Sequence, residues 1–329
     1  MSNYVLPSCV ETGQKERNAF QMISLRPFHF NVVTSSAKSR QEWIARACRI
    51  EELGYTTLVT ADHLNLEIDP AVGLMAVADA TSLRIGSHVF CNDFRHPIML
   101  ARQAAELDLF SEGRLRLGLG CGYLAEDYRQ IGMPFDPVGV RLDRFEEALQ
   151  IIKAYFHEEQ VTFSGRYYQV EGLKSTIRTV QKPHPPIYIG GGGKRVLSIA
   201  AREADIVGFV ARNNAHGLDW TTALSAANHE KLEWVQQAAG ERFAQLEFSA
   251  TIFVVVVTDH AEQVAHQVGS RLGMTAEQTL DCLHVLIGSV DQIIEKLQER
   301  RELFGISSIE VVDTHIETFA PIVARLAGK

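Results

Sequence analysis

The chain has 329 residues, 46% of them hydrophobic and 22% charged, with a formal net charge of −8 at pH 7. That is the composition of a globular protein, and its acidic surface argues against nucleic acid or an anionic membrane as partner. Five scattered cysteines without a C-x-x-C spacing (Cys9, Cys48, Cys91, Cys121, Cys282) argue against a disulfide framework or a zinc ribbon, and for reduced thiols in a cytoplasm.

Residues 1–24 show no periodicity and read as a flexible extension; residues 25–329 read as one domain. Eight strands are expected in chain order, at 28–33, 57–61, 84–90, 114–119, 187–190, 205–210, 248–257 and 308–313. Amphipathic helices separate them. The helix near 39–53 ends at Gly54, and the one near 97–110 opens on Pro97. Over 141–156, Leu142, Phe145, Leu149, Ile152 and Phe156 form one apolar stripe. The helix over 290–304 carries a Ser289/Gln292 capping box and stops at Gly305. Two places break the rhythm. Residues 157–186 hold a hairpin-like VTFSGRYYQV and the Pro-rich KPHPP, read as an insertion, and 211–247 with 258–289 carry extra helix. Strand–helix alternation forces parallel pairing, and eight such units close into an α/β barrel of the (β/α)8 TIM type.

In such barrels the active site lies at the C-terminal strand ends. The residues just past each strand are Asn31, Asp62 with His63, His88 to Asn92, Gly120 to Tyr123, Gly190 to Arg195, Arg212 to Asn214, and Asp313 with His315. In IYIGGGGKR a strand runs into Gly190, Gly191, Gly192 and Gly193, then into a helix starting at Lys194 and Arg195. Unhindered backbone N–H groups and two cations suit a phosphate, although no Walker sequence comes after them. His63, directly off the second strand with Asp62, suits proton transfer near neutral pH. Gly86 and Ser87 interrupt the third strand, as at a bulge or a close ligand approach. RLRLGLGCGY lacks the full dinucleotide fingerprint and reads as a glycine-lined shelf under a planar ring, with Cys121 a small buried residue rather than a nucleophile. No metal spacing and no G-x-S-x-G elbow occur.

These segments resemble the luciferase-like flavin and deazaflavin oxidoreductases from about Phe28 to Arg325. The resemblance rests on TADH at 60–63, SHVFCNDFRHP at 87–97, LDLFSEGR at 107–114, LGLGCGY at 117–123 and PPIYIGGGG at 185–193. It implies a luciferase-like barrel with an insertion after the fourth helix and a ring cofactor in the mouth. It also implies a non-prolyl cis peptide in a bulge at His88–Val89 or one bond earlier. By resemblance, Asp62, Cys91, Cys121 and Gly122 would line the ring, and Gly190 to Gly193 with Lys194 and Arg195 would hold its phosphate end. His63 would stand beside the carbon that transfers hydride, and the protein would be a homodimer.

The ADH and CNDFRHP segments are more similar to the branch using coenzyme F420 than to the branch using reduced FMN with dioxygen. The resemblance implies hydride exchange with a small organic substrate, as C=C or C=N reduction, with His63 or a bound water supplying the proton; an FMN-dependent monooxygenase is the alternative. One departure bears on the substrate. Sugar-phosphate dehydrogenases of the branch carry Glu where this chain has Tyr123, which leaves that proton-acceptor role vacant, with Glu126 and Tyr128 as neighbouring substitutes.

Overall fold

The computed structural model describes residues 25–214 and 217–329; the expected extension over 1–24 lies outside them. Eight parallel strands form the barrel: β1 (His29–Val33), β2 (Thr57–Thr60), β3 (Arg84–Ser87), β4 (Leu115–Gly120), β5 (Ile187–Gly191), β6 (Ile206–Phe209), β7 (Glu247–Ile252) and β8 (Ile306–Val312). Each pairs with its neighbours in chain order, and β8 pairs with β1 to close the ring, with Asn31 opposite Glu310. Each strand leads to a barrel helix: α1 (Arg40–Glu52), α2 (Pro70–Ala80), α3 (Pro97–Phe110), α4 (Val138–His157), α5 (Lys194–Glu203), α6 (Ser225–Ala239), α7 (Val290–Phe304) and α8 (Ile316–Leu326). All eight expected strands are present.

The local signals act as read. Ser289 and Gln292 cap α7 reciprocally, and Gly305 ends it with a φ of 70°. The five residues of the α4 stripe are all buried against the barrel wall. Between α4 and β5 the insertion forms an antiparallel hairpin, Gln160–Ser164 with Gln169–Lys174. The Glu147 carboxylate on α4 accepts the backbone N–H groups of Arg166, Tyr167 and Tyr168, which pins the hairpin turn to the barrel.

Two expected strands differ. Residues 248–257 are not continuous: β7 ends at Ile252, and Val254–Val257 leaves the barrel to pair in parallel with Val285–Gly288, a strand absent from the sequence reading. A single apolar run cannot reveal which of two sheets its halves join. The third strand stops at Ser87 and resumes as a short segment, Phe90–Cys91, beside Leu119–Gly120. The peptide between His88 and Val89 is cis. Glycine here reflects close approach: a Cβ on Gly86 would lie 2.7 Å from the Arg116 carbonyl, and one on Gly118 would lie 2.0 Å from that of Ser87.

Side chains alternate along each strand, so β8 sends Ile309 and Val311 toward the helices and Ser308 and Glu310 inward. The interior is charged. Arg116 of β4 reaches across to Glu310 of β8 at 2.6 Å, with Glu310 fully buried. Asn31 and Ser249 also bond Glu310, and the Arg116 guanidinium lies 4.5 Å from the Tyr188 ring centre. Asn31, expected at the mouth, thus belongs to this interior network.

Candidate functional site

At the mouth, the chain leaving β2 and the chain leaving β4 meet. After β4 it turns at Gly122, whose φ of 76° favours glycine, and a Cβ there would collide with the Tyr128 hydroxyl at 1.9 Å. One helical turn, Ala125–Gln130, then carries Asp127 inward to 3% exposure. Its carboxylate lies 2.7 Å from His63 Nδ1, and His63 Nε2 lies 3.1 Å from the Tyr123 hydroxyl. A carboxylate only accepts, so the proton between Asp127 and His63 sits on Nδ1, and Nε2 accepts from the Tyr123 O–H. Burial and the Asp127 charge push the Tyr123 phenol above its ordinary pKa, which keeps that donor protonated. Neither neighbouring substitute takes this position. Glu126 is paired with Arg129 on the surface, and buried Tyr128 donates to Asp93 at 2.9 Å.

The break in β3 forms the floor. The Asp62 carboxylate accepts the Cys91 backbone N–H at 2.9 Å and the Arg95 guanidinium at 3.0 Å. The Val89 side chain fills the space above Gly118 and Gly120. Burial pushes the Cys91 thiol up to about 12 and raises that of Cys121, so neither is a thiolate near neutral pH. His88 bonds the Thr251 hydroxyl through Nε2 at 3.1 Å, and burial first, then Arg116, lowers its pKa to about 3. His88 Nδ1 and Asn92 Oδ1 are buried without a protein partner.

A line of support missing from the sequence reading runs behind this floor. Arg144 of α4 grips Asp93 through two nitrogens, at 2.8 and 2.6 Å, and Arg141 donates to the Gly122 carbonyl. Tyr168 of the hairpin receives a hydrogen bond from Asn92 at 3.2 Å. Arg141 and Arg144 lie on a barrel helix and Tyr168 on the insertion hairpin, not directly past a strand, so strand-end reading had no signal for them.

On the other side, β5 runs through Gly190 and Gly191 into the start of α5. Gly192 is packed so that a Cβ would meet the Val210 carbonyl at 2.6 Å, whereas a Cβ on Gly193 would meet nothing within 4 Å. Gly193 caps α5 without a side-chain hydrogen bond, which leaves its first backbone N–H groups for a ligand. Lys194 is exposed, but the Arg195 guanidinium is drawn to Asp143 and Glu146 of α4. The cation beside the glycines is Arg212, which donates to the Gly192 carbonyl at 3.1 Å. Asp313 and His315 are structural: Asp313 accepts from Thr34 and Arg46, and His315 bonds the Phe253 carbonyl.

A family profile described as luciferase-like monooxygenase matches residues 21–281. The chain belongs to that family. Within it, the chain is 31% identical over 193 residues to an uncharacterised protein of Sinorhizobium fredii, covering 56% of this chain and 52% of the other, so it spans about half that relative's length. It is 29% identical over 243 residues to a Kineococcus radiotolerans protein named F420-dependent glucose-6-phosphate dehydrogenase, covering 70% and 69% of the two chains. A solved coenzyme F420-dependent tetrahydromethanopterin reductase from Methanopyrus kandleri has the same fold, with a TM-score of 0.73 at 17% identity over 92% of this chain and 100% of that one. Among the described residues no helix is long and apolar enough to cross a membrane.

Proposed function

We propose that this luciferase-like protein is an oxidoreductase that binds coenzyme F420 in the barrel mouth and exchanges hydride with a small organic substrate. One observation carries the reading: the Asp127–His63–Tyr123 arrangement opens at the same barrel end as the uncapped, glycine-lined start of α5. The site fits such a group. Gly193 leaves open space where a side chain would stand, and His88 Nδ1 and Asn92 Oδ1 lack partners at the floor. The named activity of the Kineococcus relative supports the choice of F420.

When bound, the deazaflavin would supply the carbon that takes or gives hydride. The protein's residues do the rest. Backbone N–H groups at the start of α5, with Lys194 and Arg212, would hold the cofactor's phosphate charge. Asp62 holds Cys91, and Arg141 holds Gly122, so the floor is set before a ligand arrives. His63 and Tyr123 would handle the substrate proton. Tyr123 in place of a carboxylate speaks against a sugar phosphate as substrate. The reading takes the protein as cytoplasmic and homodimeric; the exposed Val72, Met99 and Phe110 on α2 and α3 support an apolar interface.

The family's description supports a second reading, a monooxygenase, for which FMN would be the cofactor in place of F420. Titrating the purified chain with oxidised F420 and with FMN separates the two. Saturable F420 binding with weaker FMN binding is expected. A preference for FMN would replace the proposal with the monooxygenase.

A further inference from the structure

We infer that Lys231, a buried cation shielded from any ligand, belongs electrostatically to the anion site at the start of α5, and that a bound phosphate supplies the counter-charge it lacks. The inference rests on the cofactor reading above and adds a dependence of cofactor affinity on pH. Lys231 lies on α6 with 1% exposure, and its ammonium donates to the Val210 carbonyl at 2.8 Å and to Asn228 Oδ1 at 3.3 Å. Both acceptors are neutral, and among the described residues no carboxylate pairs with it. A buried charge held by dipoles alone is costly, so an anion brought close to it is stabilised. The Val210 backbone ties this cation to the glycine loop. A Cβ on Gly192 would lie 2.6 Å from the Val210 carbonyl, and the Val210 N–H donates to the Gly191 carbonyl at 3.1 Å. One residue's backbone thus separates the ammonium from the loop that opens α5.

The groups around Lys231 are cationic, neutral or engaged elsewhere. Arg212, just past β6, acts on it as a second cation. Ahead of the Val285–Gly288 strand, burial raises the Cys282 thiol and lowers His284 to about 3, so both are neutral. Arg300 of α7 donates to the Cys282, Leu283 and Val285 carbonyls, and Asp281 accepts the Ser225 N–H at the start of α6. On α5, Arg195 and Arg202 turn to Glu146 of α4, and Glu203 pairs with Lys153. Burial first, then Arg212, lowers the Lys231 ammonium to about 8. An anion at the start of α5 favours the charged form and moves it back up. The linkage therefore has one sign. Below about pH 8 Lys231 is charged and strengthens anion binding; as the pH rises through that value the ligand-free chain loses the proton, and affinity falls.

The test titrates the unaltered chain and Lys231→Met with F420, and with sulfate, whose charge is constant over the range, at pH 7.0 and 9.5. The unaltered chain should bind both about tenfold more weakly at pH 9.5, the effect of one unit charge acting through partly screened protein. Lys231→Met should bind more weakly than the unaltered chain at pH 7.0 and equally at the two pH values. A second measurement needs no variant. In the ¹³Cε-lysine spectrum of the unaltered chain, one resonance should titrate near pH 8 and move to higher pH when sulfate is added. If the unaltered chain binds F420 equally at both pH values, or sulfate leaves that titration where it was, the role of Lys231 alone is overturned. If F420 does not bind even at pH 7.0, the cofactor reading falls and this inference falls with it.

Discussion

Asp62 and Cys91 are joined across two strand ends, the Asp62 carboxylate accepting the Cys91 backbone N–H at 2.9 Å. Asp62 also holds Arg95 at 3.0 Å, so one buried carboxylate ties the loop after β2 to the interrupted third strand. Asp62→Ala removes both bonds and leaves a buried N–H unpaired. It should cost about 2–3 kcal/mol of stability and weaken cofactor binding. Urea denaturation with a parallel F420 titration checks both; an unchanged midpoint would show that the floor is held by other contacts.

Gly192 and Gly193 should respond with opposite signs. Gly192→Ala drives a Cβ into backbone 2.6 Å away and should destabilise by about 1–3 kcal/mol through overpacking. Gly193→Ser meets open space and can cap α5 itself, adding a few tenths of a kcal/mol. Its hydroxyl would occupy the N–H groups assigned to the cofactor's phosphate and weaken binding by about tenfold. Thermal melts of both variants, with cofactor titration of the second, decide. Equal destabilisation by the two would refute the assignment.

Stability should fall as the pH drops below about 6.5. His284 accepts the Ala211 N–H at Nε2 and donates to the Thr251 carbonyl from Nδ1, so a second proton has no place. Burial lowers the pKa of His284 and of His88 to about 3. Unfolded, both take a proton near pH 6.5; folded, neither does until about pH 3. Between those values the unfolded state binds more protons, and each histidine removes roughly 1.4 kcal/mol per pH unit. Chemical denaturation at pH 7.5 and 5.5 measures this. An unfolding free energy that holds or rises on acidification would contradict it.

Glu310 is fully buried in the barrel interior. Glu310→Ala should cost about 3–5 kcal/mol, because it strands the Arg116 guanidinium inside the barrel. Replacing both with Met and Leu should recover much of that loss, since an apolar pair needs no desolvation. If the double replacement denatures no later than the single one, the pair has a role beyond mutual neutralisation.

The strand ends made part of the site legible. Asp62, His63 and the glycine run were readable because a parallel barrel gathers the loops after its strands at one mouth. Asp127, Arg144 and Tyr168 were not, because they lie on a helical turn, a barrel helix and an insertion hairpin. Arg195 reads as a phosphate ligand from its place at a helix start, yet Asp143 and Glu146 on the adjoining α4 compete for it. Val285–Gly288 escaped notice because its partner is the far half of an apolar run that also serves the barrel.

The sequence by itself determined the eight strand–helix units, their caps and the order in which they close. Those features depend on residues within a few positions of one another, where side-chain period and backbone preference act directly. Only the tertiary structure decided that His63 stands between Asp127 and Tyr123, and that Arg116 meets Glu310 across the barrel. Those pairs are 60 or more residues apart, and they meet only once the ring of strands has closed.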